Sequence, residues 1–530
     1  SLSSGVALTP CARPDSAVGM DWPKGYEEAT TYVFGNANYS VNPTPQAQRW
    51  DRFSALLDKL DHPERSFKTV HIAGTNGKGT TSALCDEMLR GAGARVGLFT
   101  SPHLHTWRER IRVDGDLVSK EAVVEAFEEL RPHFTAEPQF TPFEKLTAMA
   151  FWIFRKAGVD YGVIETGLGG RFDATNHIEA PVVIGLARVG FDHIHVLGRT
   201  LAEIGSHKAG IIKAGVPAFA VPQDEEVRPI FDEEARKAGV DLSYVAATDA
   251  AVTRAGELAH ETAKEAGNAG MPSWLQRSVG HMPAWLTPAH QQENFALAAR
   301  MVLSLVESGV LNVTPATGED NGAQDLLLRS ALRTKWPGRG ELIFIPPTEA
   351  DQAKGAKPSR IIFDVAHNED AARALLANLH KAVPPGKDGG QAKVEVVFGA
   401  NKDKDAHTML NLLAETVARG AEGEGANITT VHLIHAMHPK ATPTAELHAL
   451  AKEVAADVPW RAEYGSVEEA ISVAAAGGAF YCDCTVVFGS VFVVADARTA
   501  LYDERPDVFG PADWAQFNNT EPLLMPATAR

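Results

Sequence analysis

Residues 70–81 read VHIAGTNGKGTT, and the fold turns on what this stretch is. Val70, Ile72 and Ala73 have the make-up of a short buried strand. Gly74, Gly77 and Gly79, with Lys78 among them, then form a loop, and a helix-compatible segment, TSALCDEMLRGAG, follows at once. Strand, glycine-rich turn and helix together make an anion cradle. The glycines bring amide N–H groups close, the helix N-terminus adds partial positive charge, and Lys78 adds a point charge for terminal phosphates. Thr80 offers a hydroxyl suited to Mg²⁺. The stretch departs from the common P-loop pattern in two places: Gly79 separates Lys78 from Thr80, and Ile72 holds the place of the upstream glycine. Taken alone, the loop is also compatible with an ordinary tight turn, so its surroundings decide.

A chain of 530 residues exceeds what one hydrophobic core supports, which calls for two or more domains. Its 45% hydrophobic and 22% charged residues are those of a folded globular protein. A formal net charge of −17 argues against a nucleic-acid partner, because phosphate neutralisation needs clustered Lys and Arg. The four cysteines, Cys11, Cys85, Cys482 and Cys484, are too few for a disulfide scaffold and fit a reducing cytosol. Cys482 and Cys484 read as part of a buried strand, since no second Cys or His pair is spaced to complete a metal site. No apolar run reaches about 18 residues. The best candidate, residues 470–495, is broken by Gly477, Gly478 and Asp483 and reads as helix then strand. The start, SLSSGVALTPCARPD, lacks the basic end and apolar core of a signal peptide. A cytoplasmic protein with no membrane partner is expected.

Along the chain, residues 1–22 read as a flexible extension. A helix is predicted from Tyr26, and a second, amphipathic one over 49–66, with Phe53, Leu56, Leu57 and Leu60 on one face. Val96–Phe99 is a short strand ending at Thr100-Ser101-Pro102, ERIRVDG alternates like a strand, and 121–130 and 143–157 are helices. VDYGVIETGLGGRFDATN (159–176) repeats the opening architecture, with Glu165 at the carboxyl edge of its strand, where ligands gather in α/β sheets. Strands over 181–190 and 216–222 flank a helix carrying Lys208. The alternation predicts a mostly parallel, doubly wound sheet. Residues 246–282 show little periodicity and read as a surface excursion. Helices over 290–309 and up to Leu332 follow, and WPGRG (336–340) marks a domain boundary, giving an N-terminal ATP-binding domain over 23–335 and a smaller, Rossmann-like α/β domain over 336–530. In the second part, loops 364–368 and 399–405 again lie at strand ends. The stretches 347–360 and 384–393 are polar loops.

Read together and in order, GTNGKGTT (74–81), TSPHL (100–104), ETGLGGRFDATN (165–176), Asp192-His193, HKAGI (207–211), WPGR (336–339) and FDVAHN (363–368) closely resemble the folylpolyglutamate synthase and dihydrofolate synthase family, itself akin to the Mur ligases. The resemblance runs from about residue 26 to 500. It implies an ATP-dependent amide ligase that adds L-glutamate to reduced folates, and also to dihydropteroate, through an acyl phosphate with release of ADP and phosphate. Two other readings stay open: a Mur-type ligase acting on a UDP-muramyl peptide, which TSPHL and GRFDATN disfavour, and a non-enzymatic P-loop switch, which the ligase-like motifs beyond the loop disfavour.

The resemblance also implies roles. Thr75, Asn76, Gly77, Lys78, Gly79 and Thr80 hold the β and γ phosphates, with Asn294 on the adenine side and Arg339 and Asp364 as further ATP contacts. Two Mg²⁺ sites draw on Thr80, Ser101, Glu165, His193 and a carbamylated Lys208, which turns a cation into a carboxylate. Read singly, Ser101 is equally a turn residue, Glu165 a helix-capping acid, His193 a core histidine and Lys208 a phosphate partner. His367 and Asn368 are assigned to the incoming glutamate and the acyl phosphate, although Glu369 stands where relatives carry proline. Phe143 and Glu144, with Phe172, Asp173 and Ala174, are assigned to the pterin, as stacking rings and a carboxylate for its amine edge; Phe143 serves equally well as core. Lys78, Glu165, His193, Lys208 and His367 form the catalytic set. A monomer is expected.

Overall fold

The computed structural model describes residues 24–34, 46–134, 140–266, 278–279, 282–314, 322–347, 359–383, 391–475, 483–510, 513 and 517. The proposed extension 1–22, Cys11, Cys482 and most of the loops 347–360 and 384–393 lie outside this set.

The opening strand, β1 (Lys68–Ala73), is buried at every residue after Lys68 and lies inside an eight-stranded sheet. Its companions are β2 (Val96–Phe99), β3 (Ile111–Val113), β4 (Asp116–Leu117), β5 (Tyr161–Glu165), β6 (Val183–Leu186), β7 (Ala218–Ala220) and β8 (Leu242–Tyr244), in the order β4-β3-β2-β5-β1-β6-β7-β8. From β2 to β8 the pairing is parallel; only β3 and β4 join antiparallel. A parallel strand buried on both faces needs apolar residues of either parity. Accordingly Val70 and Ile72 pack with helices Lys78–Gly91, Ala289–Glu307 and Gly322–Leu332 on one side. Helices Tyr26–Phe34, Gln46–Lys59, Lys120–Leu130 and Pro142–Ala157 build a second core through Phe53, Phe127 and Phe151, with Phe99 and Ile164 from the sheet.

The excursion expected over 246–282 is corrected by the structure. Ala250–Ala266 is a helix whose Ala251, Val252, Ala255, Leu258 and Ala259 are buried in the main core beside Leu327 and Leu328. Of these five, four are alanine or valine, so the helical spacing is present with little hydrophobic contrast to announce it. Residues 267–277 lie outside the described set, and Ser278–Val279 (β9) pairs antiparallel with Met282–Pro283 (β10).

From Arg339 onward the chain builds a second sheet. It contains β11 (Arg339–Ile345), β12 (Ser359–Asp364), β13 (Lys393–Phe398), β14 (Asn427–Leu433), β15 (Trp460–Arg461) and β16 (Cys484–Phe488), ordered β11-β12-β16-β13-β14-β15. Only the edge strand β11 runs antiparallel. Helices cover both faces, with Leu376, Met409 and Leu447 on one and Val493 and Leu501 on the other. Cys484 is buried within β16. The expected α/β class with two mostly parallel sheets holds. No helix of the described residues is long and apolar enough to cross a membrane.

The two sheets present their strand ends to each other. The loops leaving β1 and β6 contact those leaving β12 and β13, through Asn76 with Asn368 and through Asp192 with Lys404.

Candidate active site

Gly77 begins the construction. It caps the helix Lys78–Gly91 at φ +89°, in the left-handed region, and no side chain caps that helix. An uncapped N-terminus leaves its first amides for an anion. A Cβ at Gly77 would lie 2.1 Å from Asn294 Oδ1, so only glycine lets that asparagine sit directly over the loop. Asn294 in turn donates to Gln291 Oε1 at 3.1 Å. Gly79 is similarly close to its neighbours: its Cβ would stand 3.2 Å from the Trp336 indole nitrogen and 3.6 Å from Glu165 Oε2. Thr75 both donates to the Gly190 carbonyl at 3.0 Å and accepts from its amide at 3.1 Å, fastening the loop to the segment after β6.

Lys78 donates to the Thr75 carbonyl at 3.1 Å and stands 3.9 Å from Glu165 Oε1. Burial lowers its pKa, against the opposing pull of Glu165 and Asp192. Glu165 is 3% exposed; its Oε2 accepts from the Ser101 amide at 3.0 Å, and burial raises its pKa despite Lys78. Its Oε1 therefore faces a cation beyond hydrogen-bond length, an oxygen ready for a ligand. With the hydroxyls of Thr80, in the first turn of helix Lys78–Gly91, and of Ser101, whose amide bonds Glu165, the donor set would be one carboxylate and neutral oxygens. That is the kind Mg²⁺ takes when substrate phosphates and water complete its shell. Among the described residues no three His, Cys, Asp or Glu side chains converge into a metal cage. His193 has φ +50° and a half-exposed ring 3.9 Å from Asp192, and it feels the charge of Lys78. Lys208 is 3% exposed and donates to the Gly74 carbonyl at 2.8 Å. Burial, reinforced by the charge of Lys78, holds its amine well below the usual lysine range.

The second sheet brings Asp364, His367 and Asn368 to the same seam. Asp364 accepts from the amides of Gly340 and Ala366, each at 2.8 Å, and is the register partner of Arg339. Burial lowers the Arg339 pKa, while the charges of Asp364 and Glu165 offset part of that effect. Asn368 and Asn76 exchange amide hydrogen bonds of 3.0 and 3.2 Å, and Asn368 also caps helix Glu369–Ala382. The departure at Glu369 thereby acquires a reason: it is the first helical residue, where proline and an acidic side chain both suit a helix N-terminus. His367 donates from Nδ1 to the Val365 carbonyl at 2.7 Å and turns Nε2 towards Asp192 at 3.5 Å.

Asp192 and Lys404, to which the sequence reading gave no role, form an ion pair of 2.6 Å across the seam. Burial alone would raise the Asp192 pKa, but its bond with His367 and the charges of His193 and Lys404 hold it well below the usual range. The available signal was position: Lys404 lies in the loop after β13, at a strand carboxyl end. Phe143, half-buried, packs on Phe99 with centroids 5.7 Å apart and covers Gly167. Phe172 is 47% exposed, at the other end of the same loop, edge-on to His207. Ala174 is buried. Both carboxylates expected to read an amine edge are engaged locally. Glu144 accepts from Arg52 at 2.8 Å on each oxygen and from the Thr141 amide, and Asp173 accepts from the Leu168 amide and from the Thr175 amide and hydroxyl.

Comparison with known proteins places the chain among relatives. Residues 351–491 match the family described as Mur ligase, glutamate ligase domain. A dihydrofolate synthase/folylpolyglutamate synthase of Bacillus subtilis is 33% identical over 401 residues, 74% of this chain and 83% of its own length. A probable bifunctional folylpolyglutamate synthase/dihydropteroate synthase of Haloferax volcanii is 30% identical over 89% of this chain, which spans 50% of that longer protein. Among solved structures, the Mycobacterium tuberculosis folylpolyglutamate synthase complexed with ADP and AMPPCP superposes with a TM-score of 0.63 at 27% identity, covering 85% of this chain and 95% of that one. The E. coli FolC in complex with DHPP and ADP gives 0.65 at 25% identity, covering 91% and 98%. With the phosphate loop, the acid at the end of β5 and the facing loops of the second sheet in place, the chain belongs to the dihydrofolate synthase/folylpolyglutamate synthase family of ATP-dependent ligases.

Proposed function

We infer that this chain joins L-glutamate to a reduced folate, and also to dihydropteroate, at the expense of ATP. The observation that carries the reading is the seam itself: a glycine-rich loop with a half-buried lysine, and the loop after β6, meet loops of a second α/β sheet through Asn76–Asn368 and Asp192–Lys404. A reaction between a phosphoryl group bound on one side and an amino acid bound on the other needs such a meeting. The acceptor carboxylate is a poor acyl donor until the γ-phosphoryl group makes it an acyl phosphate. The glutamate amine then attacks the acyl carbon and phosphate leaves. Catalysis by positioning and charge neutralisation suffices. The amides of 77–80 and Lys78 hold the phosphates, Asn294 borders the adenine side, and Arg339 with Asp364 closes the nucleotide from the second sheet. His367 and Asn368 face the incoming glutamate. Phe143 and Phe172 border the pterin, while Glu144 and Asp173 shape that pocket by holding Arg52 and the loop 167–175 in place. Thr80, Ser101 and Glu165 would hold Mg²⁺, which neutralises phosphate charge when bound. Burial holds the Lys208 amine well below the usual lysine range, and a carbamate there would add a second anionic ligand. Residues 23–335 and 336–530 are the units that carry the two halves, and the chain acts as a monomer.

The test is ADP release by the purified protein with L-glutamate and, side by side, tetrahydrofolate and dihydropteroate. Release that needs glutamate and either acceptor supports the reading. Release that ignores both, or that responds only to a UDP-muramyl peptide, rejects it. In Lys78→Ala, turnover is expected to fall by about 100-fold or more, the scale of losing one charge-stabilising donor.

A further inference from the structure

Arg498 is wholly buried, and none of the roles above uses it. It lies in helix Val491–Glu504, and its guanidinium reaches three other parts of the chain. Nε donates to Glu341 Oε2 at 2.8 Å and Nη2 to Glu341 Oε1 at 3.1 Å, a two-point fork. Nη1 donates to His105 Nε2 at 2.7 Å, and Nη2 stands 3.5 Å from Asp513 Oδ1. The Phe517 and Phe509 rings lie 5.1 and 5.6 Å from the guanidinium carbon. Burying a cation is costly unless it is paired and its donors are satisfied, so this arrangement is built to one geometry.

Two of these partners adjoin segments of the active site: Glu341 lies in β11 two residues after Arg339, and His105 lies in the loop after β2. Glu341 Oε2 also accepts from the Gly338 amide at 2.9 Å, closing a turn across Arg339. Gly338, at φ +68°, is packed so tightly that a Cβ would meet Val365, Val494 and Leu104 within 3.4 Å. His105 lies four residues beyond Ser101. The amides of Leu104, His105 and Thr106 all donate to the Glu109 carboxylate, at 3.0, 2.7 and 2.9 Å, which makes that segment a stiff unit. His105 accepts from Arg498 at Nε2 and presents Nδ1 to Thr499 Oγ1 at 3.4 Å, the neutral tautomer.

We propose that Arg498 is a positioning residue for the ligase reaction, fixing the linker turn that carries Arg339 against the loop that carries Ser101. The proposal rests on the assignment of Arg339 to the nucleotide. Lysine at 498 keeps the charge but loses the planar fork, and cannot hold Glu341 at two points while reaching His105. In Arg498→Lys and Glu341→Gln, KM for ATP is expected to rise about 10-fold or more and ADP affinity, read by calorimetry, to fall in step. KM for L-glutamate should move by less than about 2-fold, a split that general loosening would not produce. If both variants melt cooperatively and keep the wild-type KM for ATP and ADP affinity, the proposal is wrong. If Arg498→Lys does not fold, Glu341→Gln decides. Arg339→Ala separates the two claims: unchanged ADP affinity there overturns the nucleotide role of Arg339, whatever the Arg498 variants do.

Discussion

Gly77 shows how much a single missing side chain decides. A methyl group there must displace Asn294 and also adopt φ +89°, which costs a non-glycine residue about 1–2 kcal/mol before any clash. Gly77→Ala is expected to weaken ADP binding by about 10-fold or more in a protein that still melts cooperatively; calorimetric titration checks it. Asp86, on the helix that follows, supplies a pH test. It is 4% exposed, Arg90 Nε donates to its Oδ2 at 2.9 Å, and its Oδ1 has no partner among the described residues. Burial pushes its carboxyl up to about 6, outweighing Arg90. A folded pKa above the unfolded one means that the folded protein holds the extra proton between about pH 4 and pH 6. Its contribution to stability is therefore present below that window and lost as pH rises through 6. Asp86→Asn should gain on the wild type by up to about 3 kcal/mol between pH 4 and pH 8 in urea unfolding; a constant gap would refute this. At this scale the loop 74–80 was legible in the sequence as a tight turn before a helix, because glycine and lysine spacing is a direct record of backbone approach and charge. The sequence could not show that Glu144 and Asp173 are occupied by Arg52 and Thr175, since a carboxylate that binds a ligand and one that organises a loop are written with the same letter.

Among the elements, the buried strands β1, β5 and β6 were legible as apolar runs ended by glycine. The helices Gln46–Lys59 and Ala289–Glu307 were legible by their period. Helix Ala250–Ala266 was not, because alanine contributes to a core without standing out from a loop. It is held by more than packing: Arg254 meets Asp325 at 2.6 Å and Arg329 meets Glu261 at 2.8 Å, tying it to helix Gly322–Leu332. Leu258 is fully buried at the centre of that contact. Leu258→Ala should cost about 2–5 kcal/mol in denaturant unfolding while leaving the KM for ATP unchanged. A loss of activity without a loss of stability would mean that this helix has a part in the site.

For the molecule as a whole, the informative features lie between the sheets, and those were the least legible. Asn76 and Asn368 are 292 positions apart, and Asp192 and Lys404 are 212 apart; no periodicity or motif connects them. Only the rule that ligands gather at strand carboxyl ends pointed to their loops, and it names no partners. Lys404→Ala should leave each half folded yet lower turnover with glutamate, as measured by ADP release in saturating ATP. The two bridges also differ in kind. One is an ion pair with both side chains 13% exposed; the other is a pair of uncharged amides trading donor for acceptor. Added salt contracts the Debye length from about 10 Å at 0.1 M to about 3 Å at 1 M, which acts on a charge pair, though only modestly on one this enclosed, and leaves an amide exchange almost untouched. The approach of the two halves therefore has an ionic-strength-sensitive fastening and an indifferent one. At high salt, the Asn76–Asn368 exchange and the buried Arg498–His105 bond still join the two halves.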